Sequence, residues 1–409
     1  MSRENKTRET LINMYLKSLE EGIIPWNKPW NANRNHLTGK DYKGVNQMLL
    51  NAVATERNYE SNEWLTMNQI QTLHEKEAKE AQKLMEENLK IFEPNKELLD
   101  SFSQAVSISY KAIKTGNPNT YLNAYNQTIN KFKNEHPEYK DSLKTLKEYD
   151  YVLENAKGHG VPVEFFSPYN IRTKKKISFS EYNRIFSDES EEIRNDLVFL
   201  VENYYVFNTS LVHGLKKKLN QQKQEGFSYE IHDKIAYTEY ANMIIDQYAK
   251  EEGIQIDEVA GSGIAYYSPE IDRIHIPSRH QFVSLEAFVS TKAHECIHST
   301  GHRRRLNVEF GKFMQDPLYI KEELRAEIGA SFLCSDLGVA MSKFEISRHK
   351  AYIQSYISLI KEKKEELFKA INDAQKACDY VKEKGGYDRV LEEQKANETK
   401  LAQSSSRSF

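Results

Sequence analysis

The chain has 409 residues, with 57 basic and 60 acidic side chains and a charged fraction of 29%. This length allows two or three domains that each bury their own core, and the balanced charge excludes a protein that attracts nucleic acid over its whole surface. Three cysteines without paired spacing favour reduced thiols and a cytoplasmic location. The sequence has neither a signal-peptide core nor an apolar run of membrane-spanning length, so we expect neither secretion nor a membrane span.

The N-terminal part combines two helices with an irregular segment between them. Apolar residues recur at helical spacing over residues 11–19, and the pattern stops at Gly22, as helices commonly do. Pro25 and Pro29 exclude a helix in the following stretch, and the next helix is predicted from about Asn46.

Lysine, glutamate, asparagine and leucine dominate residues 76–155, where the pattern indicates several helices with polar outer faces. We interpret this stretch as a helical insert that splits one α+β domain into residues 1–75 and 156–220. The runs GHGVPVEFF and DLVFLVENYYVFN predict a small sheet in the second piece, because β-branched and aromatic residues favour strands. Residues 228–385 are predicted to form the last domain, and residues 386–409 a disordered tail.

The last domain is predicted to be mostly helical, with a hairpin before its first main helix. The run GIAYYSPEIDRIHIP indicates two short strands around a turn at residues 268–270, and a helix is expected from about Ser284. A second helix should begin at Asp316 and Pro317 and end at Gly338. The fold class predicted for the whole chain is therefore α+β.

The run His294-Glu295-Cys296-Ile297-His298 is an HExxH motif on the first of these helices. Histidines four residues apart leave the same helix face one turn apart, so both imidazoles can bind one Zn²⁺ ion. Glu295 would then lie beside the metal and take a proton from a zinc-bound water, whose pKa the metal lowers. The pattern is typical of zinc metallopeptidases, although the two histidines could instead face a core.

The following predicted helix carries Glu323 and Glu327, which are also four residues apart. We predict Glu323 as the third ligand and Glu327 as the carboxylate that accepts the free ring N–H of a ligand histidine. Gly301 should end the first helix, so His302 could approach the metal, bind substrate or only cap the helix. Tyr266 on the hairpin could offer its phenol to a developing oxyanion, or simply pack in the core.

Aromatic and basic residues near the N-terminus form a candidate nucleic-acid surface. Proteins bind single-stranded DNA without sequence preference by stacking bases on aromatic rings and contacting phosphates with cations. Acidic neighbours nearly cancel the positive charge of this segment, and tryptophans beside prolines commonly belong to a core, so both interpretations stay open. The candidate residues are Trp26, Lys28, Trp30, Tyr42, Lys43 and Trp64.

Several runs resemble one known family. IPWNKPW, GKDYKGVNQMLL and WLTMNQIQ resemble the N-terminal domain of ArdC-type antirestriction proteins. AYYSPEIDRIHIP, HECIHSTGHRRRLN and YIKEELRAEIGASFLCSDLGV resemble, in the same order, the zincin-like metallopeptidase domain of that family, which also occurs in polyvalent proteins of phages and plasmids.

The resemblance implies a domain that binds single-stranded DNA, followed by a metallopeptidase domain with one Zn²⁺ ion. It also implies a protein that is carried by mobile elements and protects incoming DNA from host restriction. His294, Glu295 and His298 match the family motif residue by residue, while the likeness leaves the choice between Glu323 and Glu327 open. One alternative is a DNA-binding protein with a purely structural zinc ion, and another is a peptidase that acts on a protein target without binding DNA.

Overall fold

The structure, a computed structural model, has the α+β architecture that the sequence predicts. A five-stranded sheet lies in the N-terminal half, and the mostly helical C-terminal half carries a three-stranded sheet. Within the part of the chain that is described, no helix is both long enough and apolar enough to cross a membrane. The described residues are 6–26, 32–112, 118–188, 190–215, 231–311, 316–339 and 352–389.

Helices and strands are numbered separately in chain order. The α-helices in the described ranges are α1 (Lys6–Glu20), α2 (Gly44–Glu56), α3 (Met67–Lys90), α4 (Lys96–Ala112), α5 (Pro118–Glu135), α6 (Phe179–Asp188), α7 (Glu191–Arg194), α8 (Ile231–Glu251), α9 (Leu285–Thr300), α10 (Pro317–Asp336), α11 (Ile353–Glu362) and α12 (Lys364–Lys384). The strands are β1 (Arg34–Asn35), β2 (Glu63–Thr66), β3 (Val161–Asn170), β4 (Lys175–Lys176), β5 (Leu197–Asn208), β6 (Gln255–Val259), β7 (Tyr266–Ser268) and β8 (Arg273–Pro277).

The N-terminal sheet has the strand order β1-β2-β5-β3-β4. Strands β3 and β5 pair antiparallel along the whole of β3, from Val161 opposite Val206 to Asn170 opposite Leu197. These two strands are the runs for which β-branched and aromatic residues predict strands, so that prediction is confirmed. Their long pairing makes a two-stranded ribbon that extends beyond the shorter strand β2.

The helices α3, α4 and α5 have a hydrophobic core of their own, built on packed rings such as Phe92, Phe102 and Phe132. Helix α3 starts with a capping box, in which Thr66 and Gln69 each bind the other's backbone N–H. Helices are therefore confirmed in residues 76–135 of this stretch, whereas residues 140–155 contain no helix and the domain boundaries stay a prediction.

One larger core joins the N-terminal helices to the C-terminal ones. Helix α1 packs on α11, and helix α2 packs on α12. The two halves of the chain therefore share a single hydrophobic interior, a feature that the sequence pattern does not predict.

The C-terminal sheet has the order β6-β8-β7 and includes the predicted hairpin, in which β7 and β8 pair antiparallel. Helix α9 begins where expected, because the Ser284 hydroxyl accepts a hydrogen bond from the N–H of Ala287. Asp316 caps α10 by accepting from the N–H of Leu318. Gly338, in a left-handed conformation, follows the end of α10 as predicted. Residues 390–409, most of the expected tail, lie outside the described residues.

Candidate metal centre

Helices α9 and α10 bring His294, His298 and Glu323 together, with one ligand atom of each within 4.8 Å of the others. The two histidine Nε2 atoms lie 3.1 Å apart. The Glu323 carboxylate oxygens lie 3.8 Å from His294 Nε2 and 3.6 Å from His298 Nε2. Tetrahedral zinc with bonds of about 2.1 Å holds its ligands roughly 3.4 Å apart, so the three separations fit such an ion.

Small residues allow the two helices to approach closely enough for this arrangement. Ala326 and Ala330 of α10 are fully buried. A Cβ atom at Gly329 would lie 2.8 Å from Cγ2 of Ile297 on α9, well inside van der Waals contact. The position of Glu323 relative to the histidines therefore depends on a glycine at residue 329.

Glu322 fixes the orientation of the His298 ring. Its Oε1 lies 3.0 Å from Nδ1 of His298. Arg325 holds this carboxylate from the other side, because its Nε and a terminal nitrogen donate to the two oxygens over 2.7 and 2.6 Å. Arg325 also donates to the carbonyl of Ile297 and the hydroxyl of Thr300 at the end of α9. With Nδ1 engaged in this way, Nε2 of His298 faces the metal position.

The carboxylate on the His298 ring is Glu322 and not the predicted Glu327, whose support of the other candidate ligand, His294, stays a prediction. Glu327 is fully buried and accepts hydrogen bonds from the Trp26 indole, over 2.8 Å, and from the Tyr356 hydroxyl, over 2.7 Å. The sequence signal for Glu322 was its spacing of three residues from Arg325, which places the two side chains on one helix face.

The electrostatics of the site favour a cation. Burial alone would lower the pKa of the His298 imidazole, but the hydrogen bond to Glu322 and the charge of Glu323 raise it to about 9. The Glu295 carboxylate adds to this rise. Burial raises the pKa of Glu323, and the charge of Glu327 one turn away adds to it, while His298 opposes it. Two imidazoles and a carboxylate in such negative surroundings suit a divalent metal ion.

Glu295 and Cys296 lie between the ligand histidines and are both buried. The Glu295 side chain is 6% exposed, next to the metal position. Burial raises the pKa of the Cys296 thiol to about 12, as expected for a packing residue with an unreactive thiol. Cys296 thus has the structural role that its position off the metal face indicates.

A second phenol, that of Tyr319, lies near Glu323, whereas the predicted Tyr266 is not among the contacts of the cluster. Tyr266 is exposed, with its ring stacked on His275 at a centroid distance of 4.9 Å, and its role in oxyanion binding stays a prediction. The Tyr319 hydroxyl lowers the pKa of the Glu323 carboxyl against the larger, opposite effect of burial, and it lies 3.3 Å from the Tyr352 hydroxyl. Sequence reasoning missed Tyr319, although it precedes Glu323 by one helical turn.

His302 lies beyond the end of α9, for which Gly301 is the C-terminal cap as predicted. Its Nδ1 accepts a hydrogen bond from the backbone N–H of Arg304 and lies 4.0 Å from Asp272. Among the described residues, the cluster with metal-ligand geometry contains His294, His298 and Glu323 without His302. These contacts tie His302 to the loop after α9, and which of the three roles it has stays a prediction.

The structure corrects the interpretation of Trp26 and Trp64 as stacking platforms. Both side chains are at most 1% exposed, and the Trp64 indole donates to the side chain of Asn33 over 2.7 Å. Neither ring can offer a face to a base in this conformation. Tyr42 is half-buried against the core, and the Lys43 ammonium donates to Asp379 over 2.8 Å. Lys28 and Trp30 lie outside the described residues.

A small sheet, an HExxH helix and a following helix that supplies a glutamate together define a zincin-like metallopeptidase domain. The model of the zincin-like metallopeptidase family matches residues 244–373, and the model of the N-terminal domain of anti-restriction factor ArdC matches residues 5–207. The chain belongs to the family of ArdC-like antirestriction proteins.

Solved structures share the fold of this chain, and a curated relative matches most of its sequence. The metal-free crystal structure of the antirestriction ArdC protein from the R388 plasmid matches with a TM-score of 0.54 and 22% identity, over 93% of this chain and 98% of that one. The Mn(II)-bound structure of that protein matches with a TM-score of 0.53 and 22% identity, over 92% and 97%. A DNA primase TraC of Escherichia coli is 26% identical over 388 residues, which cover 93% of this chain and 20% of that protein. The chain thus spans about a fifth of the length of this relative.

Proposed function

We propose that this protein binds single-stranded DNA with its N-terminal domain and holds one Zn²⁺ ion in its zincin-like domain. In this proposal it acts in the cytoplasm, where it protects the incoming DNA of a plasmid or phage from host restriction. The observation that carries the proposal is the cluster of His294, His298 and Glu323, with Glu295 beside it, in a chain that also has an ArdC N-terminal domain.

Zinc is the proposed ion because two imidazole nitrogens and one carboxylate oxygen are a common ligand set of catalytic zinc sites. Such sites keep a fourth position open for water or substrate. The R388 protein in its Mn(II)-bound form supports a divalent ion at a fold of this kind. Three buried free cysteines are consistent with a reducing cytoplasm.

Peptide hydrolysis is the proposed reaction of the zinc site, and its substrate would be a protein or peptide of the host defence. A bound zinc ion supplies Lewis acidity, which lowers the pKa of water and polarises a carbonyl group. In this proposal Glu295 accepts a proton from the attacking water and passes it to the leaving amine. Tyr266 and Tyr319 are the two candidate phenols for hydrogen bonding to the developing oxyanion.

Metal analysis of protein purified without chelators tests the zinc site. We expect about one zinc ion per chain, and we expect His294→Ala to lose it. His280→Ala, which removes an exposed histidine outside the cluster, is the matched control and should keep the metal. A metal-free wild-type protein, together with an unchanged melting temperature for His294→Ala, would refute the site.

Glu295→Gln separates an enzyme from a protein with structural zinc. If the site is catalytic, this variant keeps its zinc and loses protection of incoming DNA in a conjugation assay with a restricting recipient. Full protection by Glu295→Gln would instead favour the DNA-binding protein with structural zinc. Anisotropy of a labelled single strand at two salt concentrations tests the DNA claim, since phosphate contacts weaken as salt rises.

A further inference from the structure

The β3–β5 ribbon carries a group of exposed aromatic rings, whereas Trp26 and Trp64 are buried and cannot contact a partner. Its exposed aromatic residues are Phe165, Phe166, Phe199, Tyr204 and Tyr205. Phe165 and Tyr204 pack edge to face, with ring centroids 5.8 Å apart, and are still 49% and 43% exposed. A soluble domain rarely leaves so many large rings in water unless they contact a partner.

The two sides of the ribbon differ in what covers them. Residues directly opposite in an antiparallel pair share a face, so Phe165 lies on the side of Glu202, and Tyr204 on the same side, opposite Val163. On the other side, Phe199 packs against Tyr182 of α6. At the base of the ribbon Val161, Val163 and Val206 share the side of Phe165 but are buried in the core, so we call only the exposed part of that side, from Tyr204 and Phe165 to the tip, the open face.

The helix-covered side is also the more acidic one. Helix α6 carries Glu181 and Asp188, and α7 carries Glu191 and Glu192. A polyanion would be repelled there. The open face is therefore the better candidate surface for an anionic partner.

The ribbon has a local surplus of positive charge. Its carboxylates are ion-paired: Glu164 with Arg8 at 2.8 Å, Asp196 with Arg172 at 2.5 Å, and Glu202 with Lys176 at 2.6 Å. Lys174 and Lys175, in the turn and strand that follow β3, are exposed and have no ion-pair partner in the described part of the chain. Lys175 lies opposite Asn170 and therefore on the helix-covered side, whereas Lys174 lies in the turn at the tip of the ribbon, about five residues or roughly 17 Å along the strand from Phe165.

We propose that the open face of the β3–β5 ribbon binds single-stranded DNA, with bases stacked on Phe165 and Tyr204 and a phosphate held by Lys174 at the tip of the ribbon. This proposal rests on the proposed function and gives it a surface. Single strands combine unpaired planar bases with a phosphate chain, which matches exposed rings followed by an exposed cation. An apolar protein partner or a second copy of the chain would explain the rings and leave Lys174 without a role.

Anisotropy of a fluorescent oligo-dT, measured with the full chain at two salt concentrations, tests the surface. Phe165→Ala combined with Tyr204→Ala should weaken binding at least about fivefold, the lower end for one lost base stack. Phe165→Tyr combined with Tyr204→Phe keeps both rings and should retain the wild-type affinity. Phe186→Ala, which removes an exposed ring of α6, is the matched control and should bind like wild type.

Lys174→Ala tests the phosphate contact. The slope of log K against log salt should become shallower by about 0.7, the value for one lost contact to a single strand. Lys175→Ala removes an exposed cation on the helix-covered side, so it is the matched control and should leave the slope unchanged.

The outcomes separate the surface from the DNA-binding function itself. If wild-type protein binds no oligonucleotide at low salt, the proposed function fails. If it binds and all ribbon variants bind equally well, DNA binding stands and this surface is wrong. Two further results would overturn the proposed occupant: tighter binding of an oligo-U of the same length, or a change of oligomeric state in the ring-removing variant without a change in DNA affinity.

Discussion

The indole N–H of Trp26 donates to Oε2 of Glu327 over 2.8 Å, although the two residues lie 301 positions apart in the chain. The bond is completely buried, and the hydroxyl of Ser331 donates to the backbone carbonyl of Trp26 over 2.5 Å. Two contacts thus fasten the N-terminal segment to α10, about one and two turns beyond the candidate ligand Glu323. The ArdC N-terminal domain and the metal helix are packed as one unit.

Trp26→Phe should destabilise the protein by about 2 kcal/mol, because a buried carboxylate loses a donor and cannot recover it from water. Trp64→Phe is the matched control, since Trp64 is equally buried and its indole donates to the neutral side chain of Asn33. Its cost should be smaller by about 1 kcal/mol, because a bond to a neutral acceptor is weaker than one to a charged acceptor. Urea unfolding of the two variants measures the difference, and a larger loss for Trp64→Phe would contradict the role of Glu327.

Glu322→Gln should weaken zinc binding by about ten- to a hundredfold, as loss of a hydrogen-bonding partner of a ligand histidine typically does. Competition with a chromophoric chelator measures the affinity. Because the variant also leaves buried Arg325 with a weaker partner, unfolding in the presence of chelator supplies the baseline for the metal-free fold. Glu366→Gln, which removes a carboxylate paired with Lys321, should bind zinc normally. Strong weakening by Glu327→Gln but not by Glu322→Gln would restore the assignment made from sequence.

The grouping of the two histidines could be predicted because a spacing of four residues determines which side chains share a helix face. Glu322 could not be chosen over Glu327 in this way, since the choice depends on how α10 is rotated against α9. That rotation is set by packing contacts such as the one between Gly329 and Ile297. Local pattern cannot reveal contacts between segments that are distant in sequence.

In the N-terminal domain, too, the local sequence around the tryptophans cannot reveal which distant segments they contact. The residues around Trp26 are compatible both with a ring that stacks on a base and with a ring that packs in a core. Its burial depends on Tyr15 and on Tyr356, whose rings each lie 5.7 Å from it. By contrast, the strands β3 and β5 were predictable, because their composition alone favours an extended chain.

His213 should make the stability of the protein fall at alkaline pH. Its ring lies between Glu154 and Glu148, at 2.8 and 2.9 Å, and the hydrogen bond to Glu154 raises its pKa above the ordinary 6.5 despite partial burial. The pKa of His213 is higher in the folded state than in the unfolded state. Its contribution to stability is therefore complete at pH values below the unfolded-state pKa, and it is lost as the pH rises through the folded-state pKa.

The measurement is the urea midpoint at about pH 6 and about pH 9 for wild type and for His213→Gln, which cannot titrate in this range. The wild-type midpoint should fall more between the two pH values than that of the variant. Parallel changes in the two proteins would show that His213 does not bind its proton more tightly in the folded state.

Gly329→Ala should both destabilise the fold and weaken metal binding. The added Cβ would lie 2.8 Å from Cγ2 of Ile297, so α9 and α10 must move apart, and overpacking of this kind costs about 1–3 kcal/mol. The same movement carries Glu323 away from the histidines, so the zinc affinity should fall together with the unfolding free energy. Gly263→Ala is the control, because a Cβ there meets no atom within 4 Å and the backbone has no left-handed strain. Combining Gly329→Ala with Ile297→Ala should cost less than the sum of the single variants, and strict additivity would mean that the helices are not held apart by this contact.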